Sequence, residues 1–151
     1  MQDEVLYRES FPILGNDYEH GGEVATKVKS ILKELGISST IIRRLSIANF
    51  EAEMNLVMYA DEGRLEFTVG PREIEVIVAD RGKGIPDIEQ AMQEGYSTAT
   101  AEMRARGFGA GMGLPNIKRN ADRFDITSTP GIGTTLRYAV SLTMPAASET
   151  Q

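Results

Sequence analysis

The hydrophobic and polar positions of the N-terminal half predict one strand followed by two helices. Residues 4–14 mix apolar and polar positions as a strand with a ragged end does. After a turn-rich loop, residues 23–35 place apolar side chains at helical spacing up to Gly36, the expected stop. A second helix, capped by a hydroxyl among residues 38–40, is predicted to run to about Tyr59. Its predicted buried stripe is made of apolar residues three or four apart: Ile41, Leu45, Ala48, Ala52, Leu56 and Tyr59.

Two pairs of strands are predicted in the remainder of the chain. Residues 63–70 and 73–79 have the pattern of strands joined by a Gly-Pro turn, so they are expected to pair antiparallel. Residues 124–128 and 134–142 show a similar pattern on either side of the turn TPGIG.

Between these pairs the chain predicts loops and two more helices. A short helix is expected over residues 88–94, and residues 95–113 are rich in Gly, Ser, Thr and Ala. Pro115 is expected to open another helix, because proline suits a first helical turn. The complete order predicts an α+β fold, a two-layer sandwich with helices on one face of a mixed, largely antiparallel sheet.

Length and composition fit one globular domain. The chain has 151 residues, of which 41% are hydrophobic and 25% charged. Such a length supports a core without disulfides or metals. We expect a single domain over residues 1–144 and a flexible tail over 145–151, where the sequence is small and polar.

Charge and residue content exclude several classes of function. The net charge of −6 argues against nucleic acid or an anionic membrane surface as the main partner. The absence of cysteine excludes thiol chemistry, and a single histidine disfavours a zinc site. No apolar run approaches the roughly 20 residues of a membrane span. The N-terminus lacks the pattern of an export signal, so a cytoplasmic location is expected.

Three clusters of residues suggest chemistry. Glu51 and Asn55 are four apart on the second predicted helix and therefore share a face. Asp80 follows a predicted strand and begins a D-x-G-x-G motif. Alternate glycines at positions 107–113 lead directly into the helix opened by Pro115. Their exposed backbone N–H groups and the helix dipole predict a phosphate site.

Each cluster alone also has an ordinary structural explanation. Glutamate and asparagine on a helix usually form a solvated face, and the neighbouring Glu53 indicates that acids here need no special role. Glycine-rich stretches are more often loops than phosphate cradles. The chain also lacks the motifs of a P-loop, a dinucleotide Rossmann unit and the large protein kinases. The three clusters in this order carry more weight than any one of them.

The ordered set resembles the Bergerat-fold ATPases, which include gyrase-type ATPases, MutL and the ATP-binding domains of histidine kinases. The match comprises E-x-x-x-N, D-x-G-x-G, a G-x-G-x-G lid and a terminal G-x-G-T-T hairpin. Within this group, GIPDIEQAMQEGYST, G-L-P-N-I-K-R and the helical segment KSILKELGI resemble the anti-sigma regulatory factor serine/threonine kinases. They are most similar to the RsbT-type switch kinases, and the similarity covers nearly the whole chain.

The resemblance implies a role for each motif. Glu51 would be the general base, Asn55 a ligand of Mg²⁺, and Asp80 the acceptor for the adenine amino group of ATP. Thr134 would support the adenine pocket. The remaining implied nucleotide-binding residues surround the base or the phosphates: Gly82, Gly84, Ile85, Arg104, Arg106, Gly107, Gly109, Gly111, Met112 and Gly113.

The resemblance also implies a function, an ATP-dependent serine/threonine kinase of a partner-switching module. Its substrate would be a small STAS-domain antagonist protein, and a sigma factor or phosphatase is a further expected partner. Two alternatives stay open: a nucleotide-gated anti-sigma or regulator-binding module with little kinase activity, and a detached histidine-kinase catalytic domain. The sequence allows a monomer or a homodimer, since an exposed first strand could pair with another copy.

Overall fold

The computed structural model describes residues 4–93 and 113–142, which form five strands, four α-helices and one 3₁₀ turn over Tyr18–His20. The strands are β1 (Tyr7–Leu14), β2 (Ala60–Val69), β3 (Glu73–Gly82), β4 (Arg123–Thr129) and β5 (Gly133–Ser141). The helices are α1 (Glu23–Glu34), α2 (Ser39–Tyr59), α3 (Ile88–Ala91) and α4 (Gly113–Arg119). The predicted elements in these ranges are all present, although β2 and β3 extend beyond their predicted bounds and β1 begins later.

The five strands form one sheet in the order β1-β2-β3-β5-β4, and each described pair is antiparallel. Side chains on one face of the sheet are buried at alternate positions, as in β2, where Leu65, Phe67 and Val69 point inward. Helices α1, α2 and α4 cover this face, with α2 contacting four of the strands. The predicted two-layer α+β architecture is therefore confirmed.

Local sequence signals determine where α1 ends and where α2 begins. Gly36 follows α1 with a φ of +80°, and the N–H of Ile37 donates to the carbonyl of Leu32 at 3.1 Å. This is the glycine-terminated end that the sequence predicts. Ser38 caps α2, because its Oγ accepts a hydrogen bond from the N–H of Ile41 at 3.4 Å.

The buried surface of α2 is wider than the predicted stripe. The four predicted residues at its centre are buried: Leu45, Ala48, Ala52 and Leu56. Ile41 and Tyr59, at the two ends, are only partly buried, so the prediction was wrong for them. Five further residues are buried: Ile42, Asn49, Glu53, Met54 and Val57. The reason is packing on several sides, since α2 touches the sheet, α1 and α4.

The structure contradicts the interpretation of Glu53 as an acid without a special role. Its side chain is 2% exposed, and its carboxylate accepts hydrogen bonds from three backbone N–H groups at the start of α1. The donors are Gly22 at 2.9 Å, Val24 at 3.2 Å and Ala25 at 2.9 Å. These are N–H groups that no α-helix can satisfy internally. Glu53 therefore caps α1 from a neighbouring helix.

A second buried polar contact joins α2 to the sheet. The hydroxyl of Tyr138 on β5 donates to Oδ1 of Asn49 at 2.6 Å, and both residues are buried. Burial raises the pKa of Tyr138 well above its ordinary value, so the hydroxyl remains a donor at neutral pH. No described helix has the length and apolar content needed to cross a bilayer.

Replacing Tyr138 by phenylalanine is expected to lower the free energy of unfolding by about 1–3 kcal/mol, because the buried Asn49 amide loses its partner. Urea denaturation checks this. The matched control is Tyr7→Phe, since the Tyr7 hydroxyl bonds Glu9 in a partly buried position on an edge strand. Tyr7→Phe is expected to lower the free energy of unfolding by no more than about 1 kcal/mol. Equal effects of the two substitutions would contradict the role given to the Tyr138–Asn49 contact.

Candidate functional site

Glu51 lies on α2 where the beginning of α4 packs against it. The Nδ2 of Asn116 donates to Oε2 of Glu51 at 3.1 Å. Gly113, the first residue of α4, lies beside the other oxygen, since a Cβ built there would stand 3.6 Å from Oε1, in ordinary van der Waals contact. Glu51 is half-buried, and among the described residues only its Oε2 has a hydrogen-bond partner.

Asn55 follows one turn later on the same face of α2 and is half-buried. Within residues 4–93 and 113–142, no side-chain hydrogen bond holds its amide. The described residues also contain no group of three or more acidic, histidine or cysteine side chains that could enclose a metal. Mg²⁺ in nucleotide sites usually takes one or two protein oxygens and completes its octahedron with phosphates and water.

Asp80 lies near the end of β3 and is only partly exposed. Its Oδ1 accepts a hydrogen bond from the backbone N–H of Thr134 at 3.1 Å. Burial raises the pKa of Asp80, the Thr134 N–H lowers it, and the nearby Asp61 charge raises it further, so the net shift is upward. Among the described residues the second oxygen has no hydrogen-bond partner, so it can accept one from a ligand.

Ile85 and Thr134, both predicted to bind nucleotide, are joined through a residue that the sequence analysis missed. The N–H of Ile85 donates to Oγ of Ser128 at 2.7 Å, and the same Oγ lies 2.8 Å from the hydroxyl of Thr134. Thr134 is buried. This network ties the loop after β3 to the β4–β5 hairpin and holds Asp80 and Thr134 side by side.

The glycines of the D-x-G-x-G motif are required by close chain contacts. A Cβ on Gly82 would lie 2.9 Å from Cα of Ala60. Gly84 has a φ of +76°, and a Cβ there would lie 2.6 Å from the carbonyl oxygen of Thr129. Larger residues would therefore disturb the loop. The predicted contact of these glycines with a nucleotide stays a prediction.

The other predicted phosphate-binding residues lie outside the described residues: Arg104, Arg106, Gly107, Gly109, Gly111 and Met112. The last of the predicted lid glycines, Gly113, is described and begins α4 beside Glu51. Pro115 is the third residue of α4, a first-turn position where its missing N–H costs nothing, in agreement with the prediction for this helix.

A shallow cleft of about 550 Å³ opens at the end of β3. Its lining includes Tyr59, Gly82, Lys83 and Gly131. Lys83 is exposed, but its ammonium lies 5.9 Å from the centre of the Tyr59 ring, within cation–π range. The cleft shares Gly82 with the D-x-G-x-G motif and does not reach Glu51 or Asn55.

Comparisons with known proteins give a family model and several relatives. The family model described as histidine kinase-like ATPase domain matches residues 14–140. The serine/threonine-protein kinase RsbT of Bacillus subtilis is 33% identical over 113 residues, which cover 72% of this chain and 79% of RsbT. An anti-sigma F factor of a Thermoanaerobacter species is 32% identical over 117 residues, which cover 74% of this chain and 78% of that protein.

Among solved structures, a chain of the SiaB–SiaC complex from Pseudomonas aeruginosa superposes with a TM-score of 0.59. The alignment covers 91% of this chain and 90% of that chain at 13% identity. At this identity the likeness concerns the fold alone. It agrees with the five-stranded antiparallel sheet and its single helical layer.

The chain belongs to the histidine kinase-like ATPase family. Its relatives include a serine/threonine kinase, RsbT, and several anti-sigma F factors. The resemblance to the Bergerat-fold ATPases and to the anti-sigma regulatory factor kinases is thereby confirmed, as is the prediction of a kinase-type enzyme that uses a nucleotide.

Proposed function

We propose that this protein transfers the γ-phosphate of ATP to a serine or threonine of a small STAS-domain antagonist protein, as the kinase of a partner-switching module in the cytoplasm. The observation that carries the proposal is the pair Glu51 and Asn55 on one face of α2, with the Glu51 carboxylate held from α4. Asp80 and its network supply the second half of a nucleotide site.

Adenine recognition is assigned to Asp80. The free carboxylate oxygen would accept a hydrogen bond from the exocyclic amino group of adenine. Guanine carries a carbonyl at that position, and the unmatched acceptor would cost about 1–3 kcal/mol, which favours ATP over GTP. Thr134 holds the Asp80 carboxylate through its backbone N–H and so fixes the direction in which the free oxygen points.

The phosphates are assigned to Asn55 and to the glycine-rich segment. Asn55 would supply its side-chain oxygen to Mg²⁺, which, when bound, neutralises phosphate charge and orients the γ-phosphate. Arg104 and Arg106 are predicted to approach the γ-phosphate. The predicted lid glycines, from Gly107 to Gly113, would offer backbone N–H groups to the phosphates.

Phosphotransfer is assigned to Glu51. Its carboxylate would accept the proton of the acceptor hydroxyl while that oxygen forms a bond to the γ-phosphorus. The bond between the γ-phosphorus and the bridging oxygen breaks in line with the attack, and ADP leaves with the electron pair. Positioning and electrostatics supply most of the catalysis in such a reaction.

The product explains how such a kinase regulates. A phosphate adds about −1.5 to −2 charge at neutral pH, which disrupts a docked interface by repulsion and desolvation. The antagonist would then release one partner for another, such as a sigma factor or a phosphatase. The proposed kinase acts as a monomer or a homodimer.

The anti-sigma F relatives favour a second candidate function, a module whose docking on a regulator is controlled by bound nucleotide, with little phosphotransfer. The two candidates share the nucleotide site. They differ in whether the Glu51 carboxylate is needed for regulation.

The first experiment adds labelled ATP and Mg²⁺ to a lysate of the source organism with either the wild-type chain or Glu51→Ala. The kinase predicts a small labelled protein that carries phosphoserine or phosphothreonine with the wild type and is absent with the variant. Nucleotide binding by purified Glu51→Ala serves as the control and is expected to persist. An unlabelled lysate, despite ATP binding by the purified chain, would favour the nucleotide-gated module.

A further inference from the structure

We infer that Asn116 and Arg119, on α4, are positioning residues that hold the Glu51 carboxylate in the orientation needed to accept a proton. The inference deepens the proposed function and rests on it. No motif of the sequence analysis assigned a role to either residue.

The contact is a chain of two hydrogen bonds that begins at the surface. Arg119 Nη1 donates to Oδ1 of Asn116 at 2.7 Å, and Nδ2 of Asn116 donates to Oε2 of Glu51 at 3.1 Å. A guanidinium is only a donor, so it must face the amide oxygen. The amide nitrogen is therefore directed at the carboxylate.

The support for Asn116 is rigid. Leu114, Pro115 and Ile117 of α4 are buried, and α4 packs on α2. The main-chain carbonyl of Asn116 accepts a further hydrogen bond from Nδ2 of Asn120 at 2.9 Å. Asn116 is thus held from its backbone and from its side chain. A glutamate has three rotatable side-chain bonds, and such a fixed donor restricts them.

Among the described residues, only one oxygen of the Glu51 carboxylate has a hydrogen-bond partner. Oε2 is held by the neutral amide of Asn116, whose own oxygen accepts a hydrogen bond from Arg119. Oε1 lies beside Gly113, where a Cβ would stand 3.6 Å away in ordinary van der Waals contact, and no donor among the described residues is hydrogen-bonded to it. The acceptor hydroxyl would enter on this side.

The test measures phosphotransfer from γ-labelled ATP to the acceptor protein found in the lysate, with ADP release by the chain alone measured in parallel. Asn116→Ala is expected to lower kcat by about 10–100-fold, because a hydrogen bond to a charged group is lost. The Kd and KM for ATP should change by less than about twofold, because Glu51 is not needed for binding. Arg119→Ala should lower kcat by about 3–10-fold, and Arg119→Lys should restore part of the rate.

A matched control comes from the same helix. Lys118→Ala removes an exposed charge beside Arg119. It should keep kcat within about twofold of the wild type. A purely structural role for Asn116 would lower the melting temperature and ATP affinity together with the rate. In a Glu51→Asp background, whose shorter side chain breaks the contact, Asn116→Ala should add little further loss.

The outcomes separate this inference from the proposed function. If Glu51→Gln leaves phosphotransfer intact, the base assigned above is wrong and the positioning role falls with it. If Glu51→Gln is inactive while Asn116→Ala matches the wild type, only the positioning role is overturned. A loss of rate with Asn116→Ala that persists in full in the Glu51→Asp background also overturns it.

Discussion

An Asp80→Asn variant is expected to lose most of its affinity for ATP and yet to unfold at a higher temperature than the wild type at neutral pH. The asparagine keeps an oxygen for the N–H of Thr134 and turns its NH₂ group toward the adenine amino group. Two donors then face each other. Affinity should fall by about 10–100-fold, which titration calorimetry with Mg²⁺ and ATP would measure.

The gain in stability follows from the raised pKa of Asp80. The folded state favours the protonated form of Asp80. The stability that this carboxyl group contributes is therefore complete below its pKa in the unfolded chain. It is lost as pH rises through the raised pKa of the folded state. At neutral pH the ionised side chain is a net cost, and the amide removes it. The difference in melting temperature between variant and wild type should therefore be small in acid and grow with rising pH.

The control for this experiment is Asp61→Asn, which removes the neighbouring carboxylate that adds to the Asp80 shift. Asp61 is exposed and has no assigned contact with adenine. The control should retain ATP affinity. Unchanged affinity in Asp80→Asn would contradict the assignment of the adenine pocket, and a lower melting temperature at every pH would contradict the pKa argument.

Glu53→Ala is expected to lower the free energy of unfolding by about 3–5 kcal/mol, since it leaves buried N–H groups of α1 without an acceptor. Glu53→Gln keeps one acceptor oxygen, so its free energy of unfolding should fall by roughly half as much. Urea denaturation gives the free energies. Hydrogen exchange should show faster opening of the first turn of α1 in both variants.

Glu23→Gln provides the comparison, because Glu23 is an exposed acid in the first turn of the same helix. Loss of the Glu23 charge affects only its interaction with the helix dipole, which contributes about 0.3–1 kcal/mol. Similar losses for Glu23→Gln and Glu53→Gln would show that charge near the helix end, and not the buried hydrogen bonds, accounts for the effect.

The sequence predicts the local elements of this fold well, because their signals are local. Apolar spacing predicts α1 and α2, Gly36 marks the end of α1, and the Gly-Pro turn predicts the β2–β3 hairpin. The order of strands in the sheet, in contrast, could not be predicted from local signals. The position of β5 between β3 and β4 depends on a pairing between residues 56 to 68 positions apart, as in Ile74 with Val140. No short pattern encodes such a pairing.

The site likewise contains residues that local motifs predict and residues whose roles depend on contacts in the folded chain. Glu51, Asn55, Asp80 and Thr134 belong to motifs and were predicted, and Asp80 and Thr134 are in contact. Glu53 was read as an ordinary acid, because its partners are backbone N–H groups 28–31 positions away that no residue type identifies. Asn116 was missed as a partner of Glu51, because that contact exists only once α4 packs on α2.

The sheet order has a consequence for the folding kinetics of the chain. The β2–β3 and β4–β5 hairpins each join strands separated by three residues, so each can form from local contacts. The β3–β5 pairing must bring these two hairpins together across a long stretch of chain. Closing so large a loop carries an entropic cost before native contacts offset it, and pairings of this kind set the folding rate of small domains. Docking of the two hairpins, with α2 covering the seam between them, is therefore the step expected to limit folding.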